Sequence, residues 1–162
     1  MTVATLVVAA VVQSTALPHL AVLGVKVDLV LLLIVAWSIR RGVEEGLVWV
    51  LIGGLAVDVL SAEPFGASIV AFGLACIVAG SAGPALRKAS ALLPLTLTPL
   101  ASVVATLAAA FVLAALGWPI FWPATVALVV LPAAVLDSLA MLIVYPVISA
   151  VDQRLATVEW PG

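Results

Sequence analysis

The sequence has few of the residue types that most enzymes and metalloproteins use for their chemistry. It contains one cysteine, Cys76, and one histidine, His19, so it has no pair for an internal disulfide bond and too few ligands for a zinc site. A serine–histidine catalytic system would depend on His19, which stands beside Pro18 in an expected turn. The sequence also has no glycine-rich phosphate-binding loop. We therefore expect a protein that is not an enzyme and uses no cofactor or metal.

Charge is equally scarce. Charged residues make up 9% of the 162 residues, whereas ordinary soluble domains contain about 25%. The net charge is −2, and the six basic residues form no cluster that would suit binding of nucleic acid. Hydrophobic residues, by contrast, make up 66% of the chain, and its mean hydropathy is +1.41. This composition is typical of a small protein that crosses a membrane several times.

The few charges recur at intervals of about one membrane crossing, for which a helix needs roughly 20 apolar residues. We predict an all-α integral membrane protein with one domain, residues 1–162, and six transmembrane helices. The approximate spans are 2–18, 27–40, 46–60, 65–83, 91–116 and 123–151. No basic residue precedes the first stretch, so we interpret Met1–Leu17 as a retained helix rather than a secretory signal.

The basic residues predict an orientation, because cytoplasmic loops are enriched in Lys and Arg. With six spans, all but one of them fall on the same side of the membrane: Arg40, Arg41, Arg87, Lys88 and Arg154. Lys26 lies opposite. Both termini are therefore expected in the cytoplasm. The tryptophans agree with this orientation, since they favour membrane interfaces and flank the expected turns.

The second and third spans are short, which leaves two interpretations open. Arg40 and Arg41 can extend their side chains to the interface, so that both helices cross the membrane. Alternatively, the pair forms a re-entrant hairpin that enters from outside, which would place both arginines in hydrocarbon. The fifth span is long instead, and Pro94 and Pro99 are two positions at which it can bend.

Small residues line one face of the fourth span, at intervals of seven, three, four and three: Gly66, Gly73, Cys76, Gly80 and Gly83. Small side chains let helix backbones approach each other in lipid, so Gly73 and Gly80 are predicted helix-packing positions. In the fifth span Thr98, Ser102 and Thr106 step by four. Their hydroxyl groups could donate across a helix interface or back to their own helix, and the sequence does not decide between the two.

Two carboxylates lie within or next to the spans. Asp58 ends the third span, where a structural use is favoured: it could accept hydrogen bonds from the following turn or cap the next helix. Asp137 lies about midway along the last span, where an ionised group is costly. It is interpreted either as a hydrogen-bonded clamp, which is favoured, or as a proton or cation site. Pro132 leaves the carbonyl of Leu128 without its helical donor, so polar groups could gather near it.

The motifs in their order along the chain resemble the bacterial rod-shape-determining MreD family. The likeness lies in Val27-Asp28-Leu29, Arg41-Gly42, Gly46, Gly53, the segment Asp58-Val-Leu-Ser61-Ala-Glu-Pro64-Phe-Gly66, and, in the last helix, Asp137, Tyr145-Pro146 and Arg154. Family members typically have Pro, Gly and Asn where this chain has Val27, Ala62 and Asp137. The resemblance makes the following residues candidates for partner binding or for a structural motif: Asp28, Arg41, Gly42, Asp58, Ser61, Pro64, Gly66 and Asp137.

The resemblance implies a multi-pass protein of the bacterial inner membrane that acts as a scaffold or adaptor in cell-wall elongation. Its implied partners are the single-span protein MreC, the RodA glycosyltransferase, a class B penicillin-binding protein and, directly or indirectly, the MreB filament. The sequence leaves a homodimer open. MreD proteins also resemble the S components of energy-coupling-factor transporters in helix arrangement. The alternative function is therefore a vitamin-binding S component, which would need polar and aromatic groups around an outer pocket.

Overall fold

The computed structural model describes residues 28–60, 64–86 and 93–158. The predicted span 2–18 and Ser61 lie outside these residues. Within the described ranges every long element is a helix and there is no β-strand, which confirms the all-α prediction. The helices are α1 Leu29–Arg41, α2 Val43–Leu60, α3 Ala67–Leu86, α4 Leu93–Ala115, α5 Trp122–Thr125 and α6 Leu131–Val158, with a π-helical turn, Val126–Val130, between the last two.

Among the described residues, two helical stretches are long and apolar enough to cross a membrane by length and composition, Pro94–Ala115 and Trp122–Val151. The second stretch combines α5, the π-helical turn and most of α6. In the turn, the Leu131 N–H reaches back five residues to the carbonyl of Val126. Because Pro132 has no N–H and crowds the carbonyl four residues before it, this wider turn lets the chain continue as a helix.

Helix α1 is the centre of the described bundle. It contacts α2, α3, α4 and α6, and from Val30 to Ile39 nearly every side chain is buried. Its 13 residues give about 20 Å of helix, which is shorter than a membrane crossing. A helix that is apolar on all sides is typical of a protein interior or a membrane span. Because other helices surround α1, its length does not have to equal the thickness of the lipid.

A single residue, Gly42, connects α1 to α2. Its φ of 95° lies in the left-handed region that favours glycine, and its N–H donates to the carbonyl of Ser38 at 2.8 Å. The tight connection brings Trp37 and Trp49 together, with stacked ring centroids 4.5 Å apart. Both rings are buried. These two tryptophans therefore pack against each other within the protein, and their expected depth at a membrane interface stays a prediction.

Several glycines mark close approaches between α2 and α3, among them Gly54 and Gly80. A Cβ atom at Gly54 would lie 2.9 Å from Ile69, and one at Gly80 would lie 2.9 Å from the backbone nitrogen of Val43. Gly73 differs, since a Cβ there would meet only a methyl group of Val50 at 3.9 Å. The close packing expected at both Gly73 and Gly80 is thus present at Gly80 but not at Gly73, because the two helices leave room for a methyl group there.

Substitution by alanine should have different effects on stability at Gly80 and at Gly73. We expect Gly80→Ala to lower the thermal stability of the protein in detergent, because the new methyl group collides with backbone atoms of Val43 that cannot rotate away. Gly73→Ala is the matched control on the same helix. It should be neutral or slightly stabilising, since alanine has the higher helix propensity by about 1 kcal/mol. Equal losses of thermal stability in the two variants would contradict the packing.

Candidate functional site

Asp137 lies in α6 at the meeting point of three helices. The carboxyl group is buried, and two groups from other parts of the chain donate hydrogen bonds to it. The hydroxyl group of Ser102 in α4 donates to Oδ2 at 2.6 Å, and the backbone N–H of Asp28 donates to Oδ1 at 3.3 Å. Burial of a polar group in an apolar interior is tolerated when such bonds satisfy it. Asp137 therefore links the start of α1 to both α4 and α6.

Asp28 uses its backbone and its side chain for different contacts. While its N–H donates to Asp137, its own Oδ1 accepts a hydrogen bond from the N–H of Leu31 at 3.1 Å and so caps the start of α1. Sequence reasoning selected Asp28 and Asp137 separately but missed their contact. A single sequence carries no signal for it, because the two residues are 109 positions apart.

A second polar contact joins the same two helices. The guanidinium group of Arg40 donates to the Ser149 hydroxyl at 3.1 Å, and this pair is also 109 positions apart. Since Asp28 and Asp137 have the same separation, α1 and α6 run parallel and in register. Between the two contacts each helix advances by 12 residues. The sequence did not identify Ser149 as a partner of Arg40.

Of the three polar positions that step along α4, only Ser102 bonds across a helix interface. Thr98 donates to the carbonyl of Pro94, and Thr106 donates to the carbonyl of Ser102, so both bond within their own helix. Of the two possibilities that the sequence left open, bonding across the helix interface thus holds for Ser102, and bonding within the same helix holds for Thr98 and Thr106. The reason is local, since the Asp137 carboxyl group reaches α4 only at Ser102.

Asp58 has the structural contacts that were favoured from the sequence. It is buried near the end of α2, where Oδ2 accepts a hydrogen bond from the N–H of Gly66 at 2.8 Å and Oδ1 accepts one from the N–H of Ser68 at 3.1 Å. Gly66 belongs to the turn and Ser68 to the first turn of α3. Asp58 therefore holds the turn and caps the next helix at the same time.

The remaining motif residues also have identifiable positions. Gly66, like Gly42, has a positive φ, 92°, which other residues adopt only with strain. The carbonyl of Pro64 accepts a hydrogen bond from the N–H of Ala67 at the start of α3. Arg41 is partly exposed, and its guanidinium nitrogen lies 3.8 Å from the carboxylate oxygen of Glu45. The same guanidinium group lies 5.6 Å from the centre of the Trp37 ring. Such an exposed ion pair contributes little to stability.

The carboxyl groups of Asp58 and Asp137 form hydrogen bonds between different elements of the fold. In the described ranges, no three His, Cys, Asp or Glu side chains come close enough together to hold a metal ion. Asp58 and Asp137 each accept two hydrogen bonds from groups of the same chain. The arrangement fixes the ends of helices and their relative positions.

Comparison with known proteins gives one result. A family model described as rod shape-determining protein MreD matches residues 1–154. No curated protein and no solved structure matches the chain. The matched range includes Asp28, Asp58 and Asp137 with their hydrogen-bond partners, and nearly the full length of α6.

Proposed function

Because this chain belongs to the rod shape-determining protein MreD family, we propose that it acts as a non-enzymatic scaffold of the cell-elongation machinery in the inner membrane. In this role it binds an MreC-like single-span protein and so supports peptidoglycan synthesis and rod shape. A RodA-like glycosyltransferase, a class B penicillin-binding protein and the MreB filament are the further components, in direct or indirect contact. The family match gives no support to the alternative of a vitamin-binding S component.

The observation that best supports a scaffold is the use made of the carboxylates. A transport or catalytic site would need at least one polar group directed at a ligand. Asp58 and Asp137 are instead buried, and groups of the chain itself bond to both oxygens of each. An intramembrane acid is ordinarily a candidate for ion or proton movement. Here both acids connect helices, which favours a rigid membrane body on which partners assemble.

The proposed topology has six transmembrane helices with both termini in the cytoplasm. Arg40 and Arg41 lie together where α1 turns into α2, which suits a cytoplasmic turn. The aromatic residues Trp118, Phe121 and Trp122 are exposed around the turn from α4 to α5, which suits the opposite interface. With Cys76 replaced, a cysteine at Ile120 should react with membrane-impermeant reagents in intact cells, and one beside Arg87 should not.

Co-purification tests the partner. The short connections between helices leave little surface outside the membrane, so we expect binding through a lateral surface within it. An MreC-like protein reduced to its membrane helix and the adjacent residues should therefore still co-purify with this chain from native membranes. A membrane helix of unrelated sequence but equal length serves as the control. Stabilisation by a small vitamin, together with loss of the MreC-like partner from the purified material, would instead favour the S component.

A further inference from the structure

The helices around α1 form an open ring. Their order around α1 is α2, α3, α4 and α6, since α2 packs on α3, α3 on α4 and α4 on α6. Among the described helices, α6 and α2 make no contact with each other, although both contact α1. The ring therefore has a gap between α2 and α6, which we call the α2–α6 opening.

Leu33 of α1 lies at the bottom of the α2–α6 opening. Trp37, four residues later, stacks against a tryptophan of α2, and Arg40, seven residues later, donates to a serine of α6. Because four and seven residues are about one and two turns of helix, Leu33 points between the directions of these two contacts. It is also the one residue from Val30 to Ile39 that is only partly buried.

The walls of the opening are mostly apolar. On α2, Ile52 and Ala56 follow Trp49 by three and seven residues, so they lie on the face of α2 beside its contact with α1. On α6, Tyr145 lies about one turn before Ser149. These wall residues are partly buried and pack against the hydrophobic core. An apolar helix about as long as α1 would suit the opening.

The chain itself offers such a helix in its predicted first span, residues 2–18. No charged residue occurs before Lys26, and the span is rich in Val and Ala. As a helix it would measure about 26 Å, against about 20 Å for α1. Its small alanine side chains would let it approach other helices closely in lipid. The other stretches outside the described residues, 61–63, 87–92 and 159–162, are too short to fill the opening.

The connection along the chain also brings this segment to the opening. The predicted span ends at residue 18 and Asp28 caps the start of α1, so residues 19–27 join the two. This link reaches about 30 Å when extended, which is more than the roughly 10 Å between packed helices. Because the link joins neighbouring ends, the two helices would run in opposite directions.

We infer that residues 2–18 form a helix that fills the α2–α6 opening and runs antiparallel to α1. Gln13 then lies near the level of Leu33, because they are five residues from the joined ends at Pro18 and Asp28. This inference rests on the topology in the proposed function but on no partner. It encloses α1 completely, so a membrane helix of the partner binds only to the outer faces of the surrounding helices.

Two neighbouring residues of α2 provide a matched pair for a crosslinking test. Ile52 and Leu51 lie at about the level of Leu33, since all three are nine or ten residues from Gly42. Ile52 is partly buried beside the opening, whereas Leu51 is 60% exposed on the outward face of α2. A helix in the opening should therefore be within reach of Ile52 and Leu33 but not of Leu51.

Each of these three positions is replaced by Cys in the full chain with Cys76→Ala, together with one further Cys that moves from Val11 to Ala16. The six successive positions cover every face of a helix at this level. A short bis-methanethiosulfonate reagent is added to membranes, and mass spectrometry of the intact, folded protein detects bridges within one chain. We expect bridges from Leu33→Cys and Ile52→Cys to positions that recur every three or four residues, and none from Leu51→Cys.

Three other results would overturn the inference. A bridge between two copies of the chain would place a second copy in the opening, and a bridge to an MreC-like protein would place the partner's helix there. The absence of any bridge from both Leu33→Cys and Ile52→Cys would leave the opening to lipid. Co-purification of the MreC-like protein from the same membranes reports separately on the scaffold function, so the two proposals can fail independently.

Discussion

Replacing Asp137 with Leu is expected to remove most of the folded protein, whereas replacing it with Asn should leave a stable one. Leu has no acceptor, so the N–H of Asp28 and the hydroxyl group of Ser102 lose their partner in a buried site. Each buried donor left unpaired costs about 1–3 kcal/mol. The loss is about 2–6 kcal/mol for two unpaired donors and about 1–3 kcal/mol when the Ser102 hydroxyl group turns to a carbonyl of its own helix, and either value is a large share of the stability of an ordinary domain.

Asn can restore both contacts because Ser102 is adaptable. The amide oxygen of Asn accepts from the N–H of Asp28, and its NH2 group donates to the Ser102 oxygen. The Ser102 hydroxyl proton then turns to a carbonyl of its own helix, as serine commonly does. Thermal unfolding in detergent should show a loss below about 1 kcal/mol for Asn, at the lower end of a single hydrogen bond. Equal losses for Asn and Leu would show that the carboxyl group itself is required.

The same substitution at Asp58 should have the opposite outcome. The two donors to Asp58 are the backbone N–H groups of Gly66 and Ser68, and neither can reverse its role. Asn presents one oxygen and one NH2 group, so an N–H donor would face an NH2 donor in a buried site. We expect Asp58→Asn to lower the free energy of unfolding by about 1–3 kcal/mol, the cost of leaving one buried donor unpaired.

Measuring both Asn variants under identical conditions makes the comparison independent of the detergent. Asp58→Asn should unfold at clearly lower temperature than Asp137→Asn, although both exchange a buried carboxyl group for an amide of the same size. Ser68→Ala is a suitable control, because it keeps the backbone donor to Asp58. A stable Asp58→Asn variant would mean that the turn at Gly66 does not depend on the carboxylate.

The helices themselves could be predicted from the sequence because lipid and protein interiors both demand long apolar segments. The apolar pattern cannot distinguish the two environments, however, and α1 illustrates this. It was expected to be a membrane span, which stays a prediction, and the structure adds that its side chains are buried against four neighbouring helices. The stretch of residues without charge from Leu29 to Ile39 fits either position, and only its short length hinted at the difference.

The individual roles of the motif residues depended on the conformation of the backbone. Asp58 could be assigned from sequence because it contacts residues within ten positions of itself. Asp28 and Asp137 could not be paired, since nothing local joins residues 109 positions apart. Gly73 and Gly80 have the same chemistry and lie on the same face of α3, yet only Gly80 meets a backbone at close range. Helix periodicity identifies a face but not the distance to its neighbour.

These contacts give the motif residues a common role. Asp28 and Asp58 cap helices, Gly42 and Gly66 permit tight connections, and Asp137 joins three helices. On this account the motif builds the membrane body and does not perform chemistry, and cell shape depends on that body being correctly folded. An acid that carried protons would instead be needed as an acid.

Cell shape measured in a rod-shaped host that carries this chain tests the account most directly. The chromosomal copy is replaced by the wild type, by Asp137→Asn or by Asp137→Leu, with protein levels in the membrane compared by immunoblotting. We predict rods of normal width with the wild type and with Asp137→Asn, and rounded cells with Asp137→Leu in step with its lower level. Rounded cells with Asp137→Asn at wild-type protein level would contradict the account, because the folded scaffold would then be present without its function.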